Sequence, residues 1–208
     1  MRNFRLLVTF ALAATLLTAR DGKWISLIQQ STLDGWQTEG NAAWSVDKGT
    51  MVGRQGPGGS AGDIFTKQRW TDFELEAEWK MHWPGNSGIW FKWSGGKTGM
   101  QADFLDEPAS YPNVYSGSLY CMGKAFIAKN SDTASVNHDG WNRIRIVVRG
   151  EHIVIEQNGR KVVDVRESSF PGPGSIGIQA HAGKAFADME IRVRKLRIRE
   201  LAQQENKP

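Results

Sequence analysis

An all-β sandwich is the fold this chain predicts, and three observations predict it. From Trp24 onward apolar residues recur with period two, the alternating segments are short, and glycine-rich or polar turns separate them at sandwich spacing. No long helical period interrupts them. The clearest strand covers 73–82, where Phe73, Leu75, Ala77, Trp79 and Met81 alternate with Glu74, Glu76, Glu78, Lys80 and His82. One face of it belongs to the core and the other to water. Strands over 141–148 and 152–156 flank Arg149-Gly150-Glu151, and the turn Gln157-Asn158-Gly159-Arg160 leads into 161–165. Asn-Gly favours a type I′ hairpin because both central positions need positive φ. The last two strands cover 175–181 and 189–198, and the apolar parity slips between Val193 and Leu196, which predicts a bulge. Segments 53–62, 83–85, 94–98 and 107–116 are rich in Gly, Pro, Ser or Asn and read as surface loops, none long enough to link two domains.

The 208 residues are 40% hydrophobic, with 23 glycines, 9 tryptophans and one cysteine. That suffices for one full core and excludes a disordered, collagen-like or disulfide-framed chain. Arg2 and Arg5 precede an apolar run over 6–17, and Leu17-Thr18-Ala19 offers a small residue for cleavage, so 1–19 read as a secretory signal peptide. The domain then spans 20–201, with a polar tail over 202–208. Export to the periplasm or the extracellular space is expected. No later stretch approaches the ~20 apolar residues of a membrane helix, so no stable membrane insertion is expected after signal removal. The 26 Lys+Arg against 22 Asp+Glu give +4; removing 1–19 takes two arginines and no acid and leaves +2. Such a small excess argues against a nucleic-acid partner. The run Arg192, Arg194, Lys195, Arg197, Arg199 lacks aromatic platforms and reads as a solvated edge strand. Cys121 has no partner in the chain and reads as a buried thiol.

Several segments carry residue types suited to chemistry. The polar face of 73–82 lines up three glutamates, Lys80 and His82, either as a solvated face or as a polar site for a hydroxylated ligand. Its Glu-x-Glu-x-Glu spacing is weakly similar to the paired carboxylates of retaining glycosidases, which sit ~5 Å apart. In 175–181, Ile176 and Ile178 take one face and Gln179 and His181 the other. His181 is a candidate acid or base because imidazole titrates near neutral pH; a hydrogen-bonded structural histidine is the alternative. Gln101 and Asp103 share a face, with Asp106 near the strand end, and Trp90 alternates away from Ile89 and Phe91. Metal ligation is not signalled. His82, His138, His152 and His181 fall in no local ligand spacing, and there is no cysteine pair.

Taken in order, a set of short motifs resembles the 3-keto-disaccharide hydrolase domain family over nearly the whole chain after residue 19. The marks are Leu33-Asp34-Gly35-Trp36, Trp44-Ser45-Val46 with Gly49, Asp72-Phe73-Glu74-Leu75 leading to Glu78-Trp79-Lys80, and Asn86-Ser87-Gly88-Ile89. Then come 99–106, Gly117-Ser118-Leu119-Tyr120, Trp141-Asn142, Asn158-Gly159 and Gly177-Ile178-Gln179-Ala180-His181. Four positions depart from the family pattern. Lys80 and Lys92 stand where Arg is usual, and in 99–106 the usual acid and amide are exchanged, as Gln101 and Asp103. Lysine lacks the two-pronged contact of arginine.

The resemblance implies an exported bacterial protein with a concanavalin A-like jelly-roll sandwich, acting on a carbohydrate already oxidised to a ketone at sugar carbon 3. The ketone acidifies the C2 hydrogen, so a base forms an enolate, the C1 substituent leaves, and water adds back. The implied catalytic group is His181 as base or acid, Glu78 or Asp103 as its complement, and Lys80 or Lys92 as the cation facing the enolate. Gln101, Gln179, Asn86 and Tyr120 would orient hydroxyls, with Asp106 nearby. No cofactor is implied, and a divalent ion beside the acids, the aglycone, the linkage and the oligomeric state stay open. Two rivals stand beside this reading. One is a carbohydrate-binding module or lectin without chemistry, favoured by the departures; the other is a conventional retaining glycosidase using Glu74, Glu76 or Glu78.

Overall fold

The computed structural model describes residues 21–96, 98–106 and 112–202; the signal-peptide segment 1–19 and the tail beyond 202 lie outside the described residues. In chain order the strands are β1 (Ile25–Ser26), β2 (Trp36–Gly40), β3 (Ala43–Asp47), β4 (Thr50–Arg54), β5 (Gly62–Trp70), β6 (Phe73–His82), β7 (Ser87–Trp93) and β8 (Met100–Phe104). They continue as β9 (Tyr115–Cys121), β10 (Ala125–Asn130), β11 (Asn142–Arg149), β12 (His152–Gln157), β13 (Arg160–Arg166), β14 (Gly174–Ala180) and β15 (Glu190–Glu200). Two antiparallel sheets result. The first has the order β13-β12-β11-β6-β15-β4-β3, with β1 added on β15; the second has the order β10-β9-β8-β7-β14-β5-β2.

The alternation that defines these strands also builds the core. Phe73, Leu75, Ala77, Trp79 and Met81 of β6 point inward to meet Ile89 and Phe91 of β7 and Ile176 and Ile178 of β14. Trp79 stacks on Phe104 across the sheets, with centroids 4.1 Å apart. Burying each such side chain contributes about 1.5–3 kcal/mol. Asn158 and Gly159 adopt φ of 50° and 79°, as the hairpin requires. The bulge lies where parity slips: the β15–β6 register shifts between Arg194 and Arg197, and Lys195 takes a φ of 50°.

Three sequence expectations change. The basic run is not an edge, because β15 lies inside its sheet between β6 and β4. Four of its five cations are answered by the glutamates of β6, and Arg192 by Glu190 of β15 itself. Glu74 lies between Arg145 and Arg199, Glu76 between Arg143 and Arg197, and Glu78 meets both Arg194 and Lys195. Two loop segments are also shorter than expected: Gly53 and Arg54 end β4, and Tyr115 and Ser116 begin β9. Cys121 is buried.

Candidate active site

On the outer face of the second sheet, antiparallel register lines the outward residues up in transverse rows about 6.8 Å apart along the strands. One row is polar. Glu39 opposes Asp63, Asp63 opposes Gln179, and Gly88 opposes Asp103. The pairing of Ile178 with Ile89 brings Gln179 beside Gly88 and completes it. The next row is largely aromatic: Phe65, Gly177, Trp90, Gln101, Tyr120 and Phe126 are successive cross-strand partners. On the other side of the polar row, His181 follows β14 and Asn86 precedes β7. Together these rows border a hollow of about 580 Å³. That volume is in the range of small-molecule sites, about 300–1,000 Å³.

Six residues singled out in the sequence meet there: His181, Asp103, Gln101, Gln179, Asn86 and Tyr120. Gly88 makes the arrangement possible, since a Cβ at that position would come within 2.7 Å of Gln101 Cγ and of the Ala102 carbonyl. The space lets Gln101 turn over the polar row. With its nitrogen facing the carboxyl, the Gln101 amide donates to Asp103 Oδ1 and its oxygen lies 3.2 Å from the Trp90 indole nitrogen. Burial pushes Asp103 well above the ordinary carboxylate range. Rotating the amide by half a turn would let it accept from the protonated acid instead, so Gln101 suits either state.

His181 is exposed, and its Nδ1 lies 2.6 Å from the Ala182 carbonyl oxygen. A carbonyl only accepts, so Nδ1 is the donor, and in the neutral ring the lone pair belongs to Nε2. Gln55 Nε2 fixes this turn by donating to the carbonyls of His181 and Gly183 at 2.8 and 3.0 Å. Phe186 meets the imidazole edge-on at 5.7 Å.

The sequence reading missed Asp63. Burial pushes its carboxyl up to about 7, a hydrogen bond from the Trp90 indole works against the rise, and the charge of Glu39 adds to it. Its signal was available in the alternation of 62–66, directly after a glycine-rich turn. Trp93, Met122 and Phe126 were missed as well. Trp93 belongs to β7, whose run Ile89-Trp90-Phe91 with Trp93 is apolar on both faces and buried along its whole length, whereas Met122 follows β9 and Phe126 lies in β10, where no such run marks them.

Four expected site residues lie elsewhere. Glu78 and Lys80 point outward from the first sheet, so the sandwich separates them from His181. Burial opposes it, but hydrogen bonds from Lys195 and Arg194 hold the Glu78 carboxylate below its usual range, the wrong direction for a general acid. Glu76 is held low in the same way by Arg197 and Arg143. Lys80 sits beside Arg192 and lines a separate depression with Trp83 and Trp141. Lys92 is turned out of the alternation by a φ of 55° at an irregularity of β7. Its ammonium donates to the carbonyls of Thr71 and Gly172 at 2.7 and 3.3 Å instead. Asp106 leaves the hollow to meet His138 Nε2 at 3.1 Å. Among the described residues no Lys or Arg lines the hollow, and no three His, Cys, Asp or Glu side chains come together as a metal-binding group.

Comparison with known proteins agrees with this architecture. A 3-keto-disaccharide hydrolase of Bacteroides thetaiotaomicron is 25% identical over 172 residues, covering 68% of this chain and 58% of that protein. The chain therefore spans less than two thirds of the curated relative it matches. Among solved structures, a Parabacteroides distasonis protein provisionally assigned as a glycosyl hydrolase superimposes with a TM-score of 0.65 at 22% identity, covering 86% of this chain and 100% of the other. A Bacillus subtilis protein of unknown function with a galectin-like fold gives 0.71 at 12% identity, covering 89% and 98%. The expected sandwich of the concanavalin A and galectin kind is thus the fold found. The model of the 3-keto-alpha-glucoside-1,2-lyase-like domain matches residues 23–199, and this chain belongs to that family.

Proposed function

We propose that the hollow cleaves the glycosidic bond of a sugar carrying a ketone at carbon 3, by elimination followed by hydration. His181 Nε2 takes the C2 proton, and the electron pair of that C–H bond moves into the enolate. Asp103, pushed toward its neutral form by burial, donates a hydrogen bond to the enolate oxygen, a role a buried carboxylic acid performs without a fixed positive charge. The C1–O bond then breaks with its electrons going to the leaving oxygen, which receives the proton of Asp63. Water adds to C1 as Asp63 takes a proton from it, and His181 returns a proton to C2. One water is consumed and both groups recover their starting states. Asn86 and Gln179 orient the ring hydroxyls.

The observation that carries this reading is an imidazole whose Nδ1 is held by a backbone carbonyl, which reserves Nε2 for proton transfer, sharing one hollow with two carboxyls that burial moves toward neutrality. A His181→Ala protein should keep its circular dichroism spectrum and lose release of free sugar from a 3-keto disaccharide. Unchanged turnover would remove His181 from the mechanism. A binding module without chemistry is the second reading, favoured by the lack of a lining cation among the described residues. Calorimetry showing sugar binding with no product from any 3-keto glycoside would select it.

A further inference from the structure

The hollow is not uniform along the strands. Its polar rows give way to a ledge of Trp90, Trp93, Tyr120, Met122 and Phe126. Phe65 underlies this ledge, stacking on Trp93 at 4.6 Å with ring planes 8° apart. Trp93 meets Trp90 at 5.2 Å, Trp90 meets Tyr120 at 6.3 Å, and Tyr120 meets Phe126 at 5.6 Å. The cluster is separate from the sandwich core and lies on the outer face of the sheet, where no second layer needs it.

Aromatic rings suit two ligand chemistries, the C–H face of a sugar and another aromatic ring. Hydrogen bonding decides between them. A sugar leaving group brings hydroxyls that must be paired in the site, since unpaired buried polar groups cost binding. Among the described side chains along this path, the polar groups are the Gln101 amide, which is engaged by Asp103 and the Trp90 indole, the Tyr120 hydroxyl and two indole N–H groups. Both indoles already address carboxyls: Trp93 Nε1 lies 3.4 Å from Glu39 Oε1, and Trp90 hydrogen-bonds Asp63. We propose that the ledge is an aglycone subsite that selects glycosides with a phenolic leaving group over disaccharides. The inference rests on the elimination reading for the reaction and adds the direction of the substrate. C2 and C3 lie over the polar rows, and the C1 substituent extends across Trp90 toward Phe126. When C1–O breaks, its electron pair goes to the phenolic oxygen and the proton of Asp63 neutralises it.

The test is equilibrium binding by calorimetry of three unoxidised ligands: 4-nitrophenyl glucoside, methyl glucoside and a glucose disaccharide. Wild-type protein should bind the aryl glycoside about tenfold more tightly than the other two, the effect of burying one ring. Phe126→Ala should abolish most of that preference, and Met122→Ala repeats the test should Phe126→Ala fail to fold. Equal affinities, tighter binding of the disaccharide, or no binding of the aryl glycoside would overturn the proposal. Because no turnover is required, the two readings fail separately. An aryl preference with no cleavage of any 3-keto glycoside would sink the elimination and keep the ledge. Cleavage of 3-keto disaccharide and 3-keto aryl glucoside with equal KM would sink the ledge alone.

Discussion

Asp63→Asn probes the electrostatics of the hollow through stability. Burial raises the folded-state pKa from 3.8 to about 7, with the Trp90 hydrogen bond opposing the rise and Glu39 adding to it. The native protein therefore binds a proton that the unfolded chain has released between those values. The contribution to stability is full below the unfolded pKa, falls as pH rises through the window, and is lost above about 7. At about 1.36 kcal/mol per unit the whole window corresponds to roughly 4 kcal/mol. Asp63 is half-buried, and water reaching it reduces the figure to about 2–3 kcal/mol.

Asparagine has the shape of the neutral acid and no charge at any pH. Relative to wild type, Asp63→Asn should therefore gain about 2–3 kcal/mol in stability between about pH 4 and about pH 8.5. Urea unfolding at both pH values measures this, and comparing the two proteins cancels the titration of every other group. A stability difference that does not change with pH would refute the environment assigned to Asp63. The same proton enters the proposed reaction, so turnover by wild type should decline above about pH 7.

Two further substitutions separate the sheets. Glu78→Gln removes a carboxylate answered by Arg194 and Lys195 on the far sheet, so it should cost less than about 1 kcal/mol and leave turnover within about twofold. A tenfold loss of activity in a folded variant would return Glu78 to the site. Gly88→Ala places a Cβ within 2.7 Å of Gln101 Cγ and the Ala102 carbonyl. Overpacking of this kind costs about 1–3 kcal/mol, and turnover should fall as Gln101 is displaced from Asp103; denaturant unfolding and rates unchanged from wild type would contradict the role given to Gly88.

Alternation was enough to tell which side chains leave the core, and in β6, β8 and β14 it was right. It does not tell which sheet a strand joins. Glu78 and Gln101 are equally outward in their own strands, yet β6 pairs with β15, more than a hundred residues later, and β8 pairs with β7 in the other sheet. Period two carries no information about such distant pairing. Lys92 was expected in the site from the resemblance alone, and its positive φ, a local backbone feature that the motif does not carry, turns it away. Asn86, Gln101, Asp103, Tyr120, Gln179 and His181 converge because they lie in or beside β7, β8, β9 and β14, which are neighbours in one sheet; the ordered motifs contained these residues but also Glu78 and Lys80 of β6 in the other.

The two outer faces use the same residue types to opposite ends. On the first sheet Glu76 lies between Arg143 of β11 and Arg197 of β15, and Glu78 meets Arg194 and Lys195 of β15, an arrangement that keeps a carboxylate charged. Such a group neither gives nor takes a proton near neutral pH. On the second sheet the aromatic row excludes water and, among the described residues, supplies no lining cation, so Asp63 and Asp103 are pushed toward their neutral forms. Proton transfer near neutral pH needs carboxyls of the second kind. The aromatic ledge thus shapes the chemistry as well as the ligand. Opening its β10 end to water, as Phe126→Ala would, should lower the affinity for an aryl group, while Asp63, on β5 toward the other side of the same sheet, keeps its raised pKa.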